Sequence, residues 1–101
     1  MAFSLLPFGI HIVKGHSMQP HIKEGERVVV YNWAYAFTQP KVGDVVVFSS
    51  SAKKKYVKRI TAAETKNEFV VAGDNKSDSM DSRKLGPVQR KAIIGKVVMK
   101  Y

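Results

Sequence analysis

The sequence predicts a mainly β protein, a compact single-domain fold of antiparallel, barrel-like strands. Three observations predict it. Short β-branched runs recur along the chain, turn-forming residues separate them, and no long stretch repeats its apolar residues at the helical period of about 3.6. The 101 residues fit one domain and leave no room for a second, and 45% hydrophobic residues suffice for one modest core.

The elements follow in order. Residues 1–13 (MAFSLLPFGIHIV) are apolar but broken by Pro7 and Gly9. They fall short of the roughly 20 apolar residues of a spanning helix and lack the basic start and small-residue cleavage site of a secretory signal. The expectation is a chain without a transmembrane segment, cytoplasmic or peripherally membrane-associated. His11–Lys14 can add a strand. Arg27–Tyr31 (RVVVY), Val45–Phe48 (VVVF), Tyr56–Ile60 (YVKRI), Glu68–Ala72 (EFVVA) and Ile93–Met99 (IIGKVVM) read as strands. Asn32–Thr38 suggests a helical turn. Gly25, Pro40 with Gly43-Asp44, Lys66-Asn67 and Gly73-Asp74-Asn75 supply turns, and Ser49–Lys55 (SSSAKKK) reads as an exposed hairpin loop.

Charge narrows the partners. Seventeen Lys and Arg against eight Asp and Glu give a net +9. Such an excess favours anionic partners: nucleic acid, an acidic membrane surface met peripherally, or an acidic substrate. Nucleic acid is not expected, because Tyr56 and Arg59 alone do not make the interleaved aromatic and basic face that stacking on bases needs. The absence of cysteine excludes disulfides and cysteine–zinc sites. The three histidines, His11, His16 and His21, are not spaced as a zinc set, so neither metal nor cofactor is expected.

Three segments can carry chemistry. In Gly15-His16-Ser17-Met18-Gln19-Pro20 a glycine permits unusual backbone angles before the serine and a proline fixes the exit after it, so a hydroxyl can be held rigidly at a strand end. Taken alone it reads better as a loop serine capping a turn. In Tyr56–Ile60, Lys58 falls inside an apolar run, with Val57 and Arg59 directed to the opposite face. A lysine with its usual pKa of about 10.4 is almost wholly charged at neutral pH, and burial favours the neutral form that a base requires. Taken alone it reads better as a lysine on a solvated face. The third segment, Gly73 to Val88, is dense in turn and hydrogen-bonding residues, as functional loops and plain polar loops both are.

Together these segments resemble the type I signal peptidase family of serine–lysine peptidases. Ser17 to Pro20, then Gly25-Glu26 and Val28–Val30, resembles its nucleophile box; Gly43-Asp44-Val45-Val46 the next; Lys58-Arg59 the general-base box; and Gly73-Asp74-Asn75 with Ser79, Asp81-Ser82-Arg83 and Gly86 the last, at its full spacing. The resemblance runs from about Val13 to Val98 and makes residues 1–101 one signal-peptidase-like catalytic domain. The short form is similar to the compact maturation proteases associated with nickel-type superoxide dismutase.

The resemblance implies a serine endopeptidase that removes an N-terminal leader or signal segment from a precursor protein or peptide. Ser17 is the implied nucleophile and Lys58 its base, with Ser79 orienting the amine and Asp81 and Arg83 bracing the loop. Met18, Tyr56 and Val57 would line shallow substrate pockets, beside which a bound peptide adds as a strand. The family's side-chain oxyanion donor falls at Gly15, which has no hydroxyl, so the Ser17 N–H needs another donor beside it. Gly25-Glu26 stands where Gly-Asp is usual, and the family's membrane anchor and large inserted subdomain are missing from these residues.

Two other readings stay open. A self-cleaving repressor-type regulatory domain shares Ser–Lys chemistry and a β fold but lacks the last box. A non-enzymatic basic β-barrel binding nucleic acid would need the aromatic face described above. A histidine base is not expected, because His16 adjoins Ser17 and points away from it in an extended chain.

Overall fold

The computed structural model describes residues 6–50, 53–75 and 86–100. Seven strands follow one another: β1 Phe8–Ile12, β2 Arg27–Tyr31, β3 Val45–Ser49, β4 Lys55–Ala63, β5 Glu68–Ala72, β6 Val88–Gln89 and β7 Ile93–Lys100, with a 3-10 turn at Arg90–Ala92 ahead of β7. They form a single antiparallel sheet in the order β1-β2-β7-β3-β4-β5-β6, curled into a half-barrel. No α-helix occurs among the described residues. The mainly β, antiparallel, barrel-like expectation is thus met.

Side-chain alternation explains the curl. Along β3, Val46 and Phe48 enter one core with Ile60, Phe69, Val71 and Ile93, while Val47 enters a second with Val28, Val30 and Val57. Both faces of the central strands are therefore covered, which is why β3 reads as an unbroken apolar run. The turns after β2 cover the first face with Tyr35. The segment between β1 and β2 covers the second with Val13, Met18 and Ile22. Register shifts at Val29/Val30, Val47/Phe48 and Ile60/Ala62 bend and twist the strands there, as an extra residue on one strand does. Gly95 permits the tightest approach: a Cβ there would lie 2.7 Å from the carbonyl oxygen of Tyr31 on β2.

Several local features differ from the sequence expectation, and β4 runs on to Ala63 beyond the expected Ile60. The first strand is Phe8–Ile12, not His11–Lys14, because Val13 already turns inward while its N–H bonds the Glu26 carbonyl at 2.9 Å. Asn32–Thr38 forms successive turns, closed by Ala34 N–H to Tyr31 O and Ala36 N–H to Trp33 O. Arg90 holds that segment down, donating to the carbonyls of Tyr35 at 2.8 Å and Thr38 at 3.1 Å and to the Gln39 side chain. The pair Val88–Gln89 forms β6 against Phe69 and Glu68, too short a run to announce itself in the sequence.

Candidate active site

The β1–β2 connection shapes the Ser17 loop. Val13 and Glu26 close its base with the 2.9 Å bond, and Gly25 N–H donates to the Val13 carbonyl at 2.8 Å. Gly15 sits at φ 83° and Gly25 at φ 87°, left-handed values that side chains disfavour. Between them the chain winds tightly, with Gln19 N–H to His16 O at 3.2 Å and Ile22 N–H to Met18 O at 3.0 Å. Met18, 1% exposed, plugs into the core beside Val13 and Val57 and fixes the loop to the sheet. The Glu24 carboxylate accepts from Gly15 N–H at 2.7 Å, and its other oxygen lies 3.6 Å from His16 Nε2.

The turn after β5 clamps this loop from the other side. Asn75 N–H donates to the Ser17 carbonyl at 2.7 Å, and the Asn75 side-chain amide donates to the His16 carbonyl at 3.0 Å. Asp74 faces β4: Arg59 binds it through Nε and Nη2, both at 2.9 Å, and donates from Nη1 to the Gly43 carbonyl at 2.7 Å. Nδ1 of His21 lies 2.9 Å from the same carboxylate. The hydrogen bond from Arg59 chiefly holds the Asp74 carboxyl below its usual pKa, with a smaller share from His21, and the same bond raises Arg59. The nucleophile box, the Gly43-Asp44 turn, the Lys58-Arg59 strand and the Gly73–Asn75 turn are thus tied into one network.

Lys58 lies on β4 opposite Val46 and is 3% exposed, the buried charged residue among the described ones. Its neighbours Tyr56 and Val57 line a groove of about 550 Å³ with Ser17, Val13 and His11. Burial, then the charges of Lys55 and Lys14, lowers the His11 pKa. Of the residues singled out from sequence, Ser17, Tyr56 and Val57 thus share one groove, and Lys58 is buried in the strand that forms its wall. Met18 packs in the core beneath, and the Gly15 N–H is engaged by Glu24. Ser79, Asp81 and Arg83 lie outside the described residues. No group of three or more His, Asp or Glu able to hold a metal occurs among the described residues. No helix among them is long and apolar enough to cross a membrane.

Sequence reasoning missed Glu24, both Asn75 contacts and the Arg59–Asp74 pair. Arg59 and Asp74 stood in separate boxes, and the register Arg59↔Ala72 that brings them together is a property of the folded sheet. It did place Arg59 away from Lys58, and the bond to Asp74 is what that placement serves.

The family model described as signal peptidase, peptidase S26, matches residues 1–67 and 63–101. The chain belongs to the signal peptidase family. It is similar to signal peptidase IB of Staphylococcus aureus, with 36% identity over 67% of this chain and 38% of the relative. It is also similar to a protein of the same organism named inactive signal peptidase IA, with 22% identity over 90% of this chain and 77% of that one. The chain thus spans about two-fifths of the length of the first of these relatives.

Proposed function

We propose that this chain is a serine endopeptidase that removes an N-terminal leader or signal segment from a precursor protein, with Ser17 as nucleophile and Lys58 as general base. One observation carries the reading: Ser17 lines a groove together with Tyr56 and Val57, the residues that lead directly into the buried Lys58. Because one relative is named inactive, family membership alone does not decide activity. What supports activity here is that Ser17 and Lys58 each stand within a segment that resembles its box.

In the proposed reaction the neutral Lys58 amine takes the Ser17 proton as Oγ attacks the scissile carbonyl. The tetrahedral intermediate collapses to an acyl-enzyme, with the proton passed to the leaving amine, and water then releases the acyl group by the reverse roles. Burial favours the neutral amine, and a positioned base contributes about 10²–10⁴-fold. The clamp from Asn75 supports catalysis by fixing the loop that bears the nucleophile, since small displacements of a reacting group are costly. Ser79 orients the Lys58 amine, and Asp81 and Arg83 brace their loop. Met18 supports the groove from the core while Tyr56 and Val57 contact the residues before the cut. The Ser17 N–H serves the oxyanion; Gly15 brings no hydroxyl to it.

His21 supplies a second reading, because its Nδ1 contact with Asp74 has the form of two members of a triad. Its side chain is 65% exposed, however, and does not line the groove that Ser17 lines. Mass spectrometry of candidate precursors incubated with each variant separates the two. Ser17→Ala and Lys58→Ala lose cleavage with the fold intact, Lys58→Arg is inactive because guanidinium stays protonated, and His21→Ala still cleaves. Cleavage at near wild-type rate by Lys58→Ala, or its loss in His21→Ala alone, overturns the Ser–Lys assignment.

A further inference from the structure

The groove that holds Ser17 has an electrostatic character that the proposed chemistry does not require. Among the described residues its lining includes Lys14, Lys53, Lys54 and Lys55 together with His11, and no carboxylate. Lysines on a loop are ordinarily solvated independently of one another, but two features set these apart. They come from two separate segments, the connection after β1 and the β3–β4 hairpin, so the fold brings them to face a common space. Lys53 also holds a left-handed backbone at φ 63°, where glycine or asparagine is the cheaper residue. Such a conformation persists where the surrounding structure holds it. The hairpin is closed around it by Lys53 N–H to Ser50 O at 2.9 Å and Ser50 N–H to Lys54 O at 2.8 Å, which fixes where the lysines start.

We infer that this groove selects precursors carrying Asp or Glu within a few residues of the scissile bond, with Lys14 and Lys53–Lys55 as the specificity-determining residues. The inference rests on the peptidase reading above and names its substrate class. A groove of about 550 Å³ has the size of a ligand site and takes a short peptide segment. Its walls carry several cations and an apolar floor of Val13 and Val57, which suits an extended segment that alternates acidic and small apolar side chains. A basic residue at the same place would meet Lys14 and the hairpin lysines at close range, so exclusion of basic segments contributes as much as attraction of acidic ones. The net charge of +9 adds long-range attraction in the same direction.

The test uses one peptide frame made in acidic, neutral and basic versions at the positions before the cut. Wild-type protein is expected to cleave the acidic version with kcat/KM on the order of tenfold above the basic one at low salt, the ratio shrinking as salt rises. In Lys53→Glu/Lys54→Glu/Lys55→Glu the ratio is expected to invert. In parallel, labelled peptides are titrated onto Ser17→Ala, which reads binding without turnover. Equal cleavage of all three versions refutes the inference and leaves the peptidase reading standing. Acidic preference in binding with no cleavage by wild-type protein refutes the peptidase reading and leaves the groove's preference standing. Competition is run with phosphatidylserine vesicles and with an oligonucleotide. If either occupies the groove and the acidic peptide fails to bind, the peptide assignment is overturned in favour of that anion.

Discussion

Removing the Asp74 charge tests the network that ties the four boxes together. In Asp74→Asn the side chain keeps its size, but Arg59 loses both charge-assisted bonds and His21 loses its anionic neighbour. The Asp74 side chain is 14% exposed and that of Arg59 33%, so the pair is neither a surface ion pair nor a fully buried one. The former contributes about 0–1 kcal/mol and the loss of one partner from the latter costs about 3–5 kcal/mol. This intermediate, bidentate case should cost about 2 kcal/mol. In a domain of this size that lowers Tm by roughly 8–16 °C. The sign with pH follows from the carboxylate. Its folded pKa is depressed, chiefly by the Arg59 bond, so its stabilisation is present above the unfolded value of about 3.9 and is lost as pH falls through the folded value. Arg59 is raised and stays charged throughout that window. Urea unfolding of both proteins from about pH 7 to pH 3 therefore should show a full gap near neutrality that narrows only below about pH 4. A gap under about 0.5 kcal/mol at neutral pH, or one unchanged in acid, would refute the reasoning.

Two further outcomes are expected. Gly95→Ala would set a Cβ 2.7 Å from the Tyr31 carbonyl oxygen and 2.7 Å from Val30 Cγ1, forcing β2 from β7 at a cost of about 2–3 kcal/mol, read by denaturant unfolding; an unchanged midpoint would show that the strands are not so close. Asn75→Ala removes the side-chain bond to the His16 carbonyl but keeps the backbone bond to Ser17, so kcat on a cleaved peptide should fall about tenfold with little change in Tm; a loss confined to KM would place Asn75 in binding instead.

The strands were legible wherever burial matched composition. Val45–Phe48 and Glu68–Ala72 are buried on alternating or both faces, and their β-branched runs announce it. β1 was misplaced because it inverts the usual pattern: Phe8, Ile10 and Ile12 point outward at 54%, 63% and 51% exposure. A rule that equates apolar with inward then favours the residues after it. The far half of β4, Thr61–Ala63, was missed because nothing buried marks it; its pairing with Phe69 and Val70 across the register shift holds it in the sheet. Lys58 stood out as a charge within an apolar run, and its 3% exposure is the physical meaning of that anomaly.

The site's legibility has a different limit. Motif spacing identifies which residues belong together, but the forces that bring them together are backbone and side-chain contacts across long separations. Asn75 and His16 are 59 positions apart and meet only because β5 pairs with β4 and delivers its following turn to the Ser17 loop. Glu24 acts at shorter range, yet a glutamate that bonds a glycine N–H reads in sequence as one more surface acid. The Ser17 loop is therefore held by contacts that motif spacing does not show: Glu24 on Gly15, Asn75 on His16 and Ser17, and Met18 in the core. A nucleophile must be immobile before it can be activated, since a well-oriented group avoids the entropy of finding its partner. In this half-barrel that immobility comes from the β1–β2 segment being packed, capped and clamped at successive residues, and the chemistry proposed for Ser17 depends on all three.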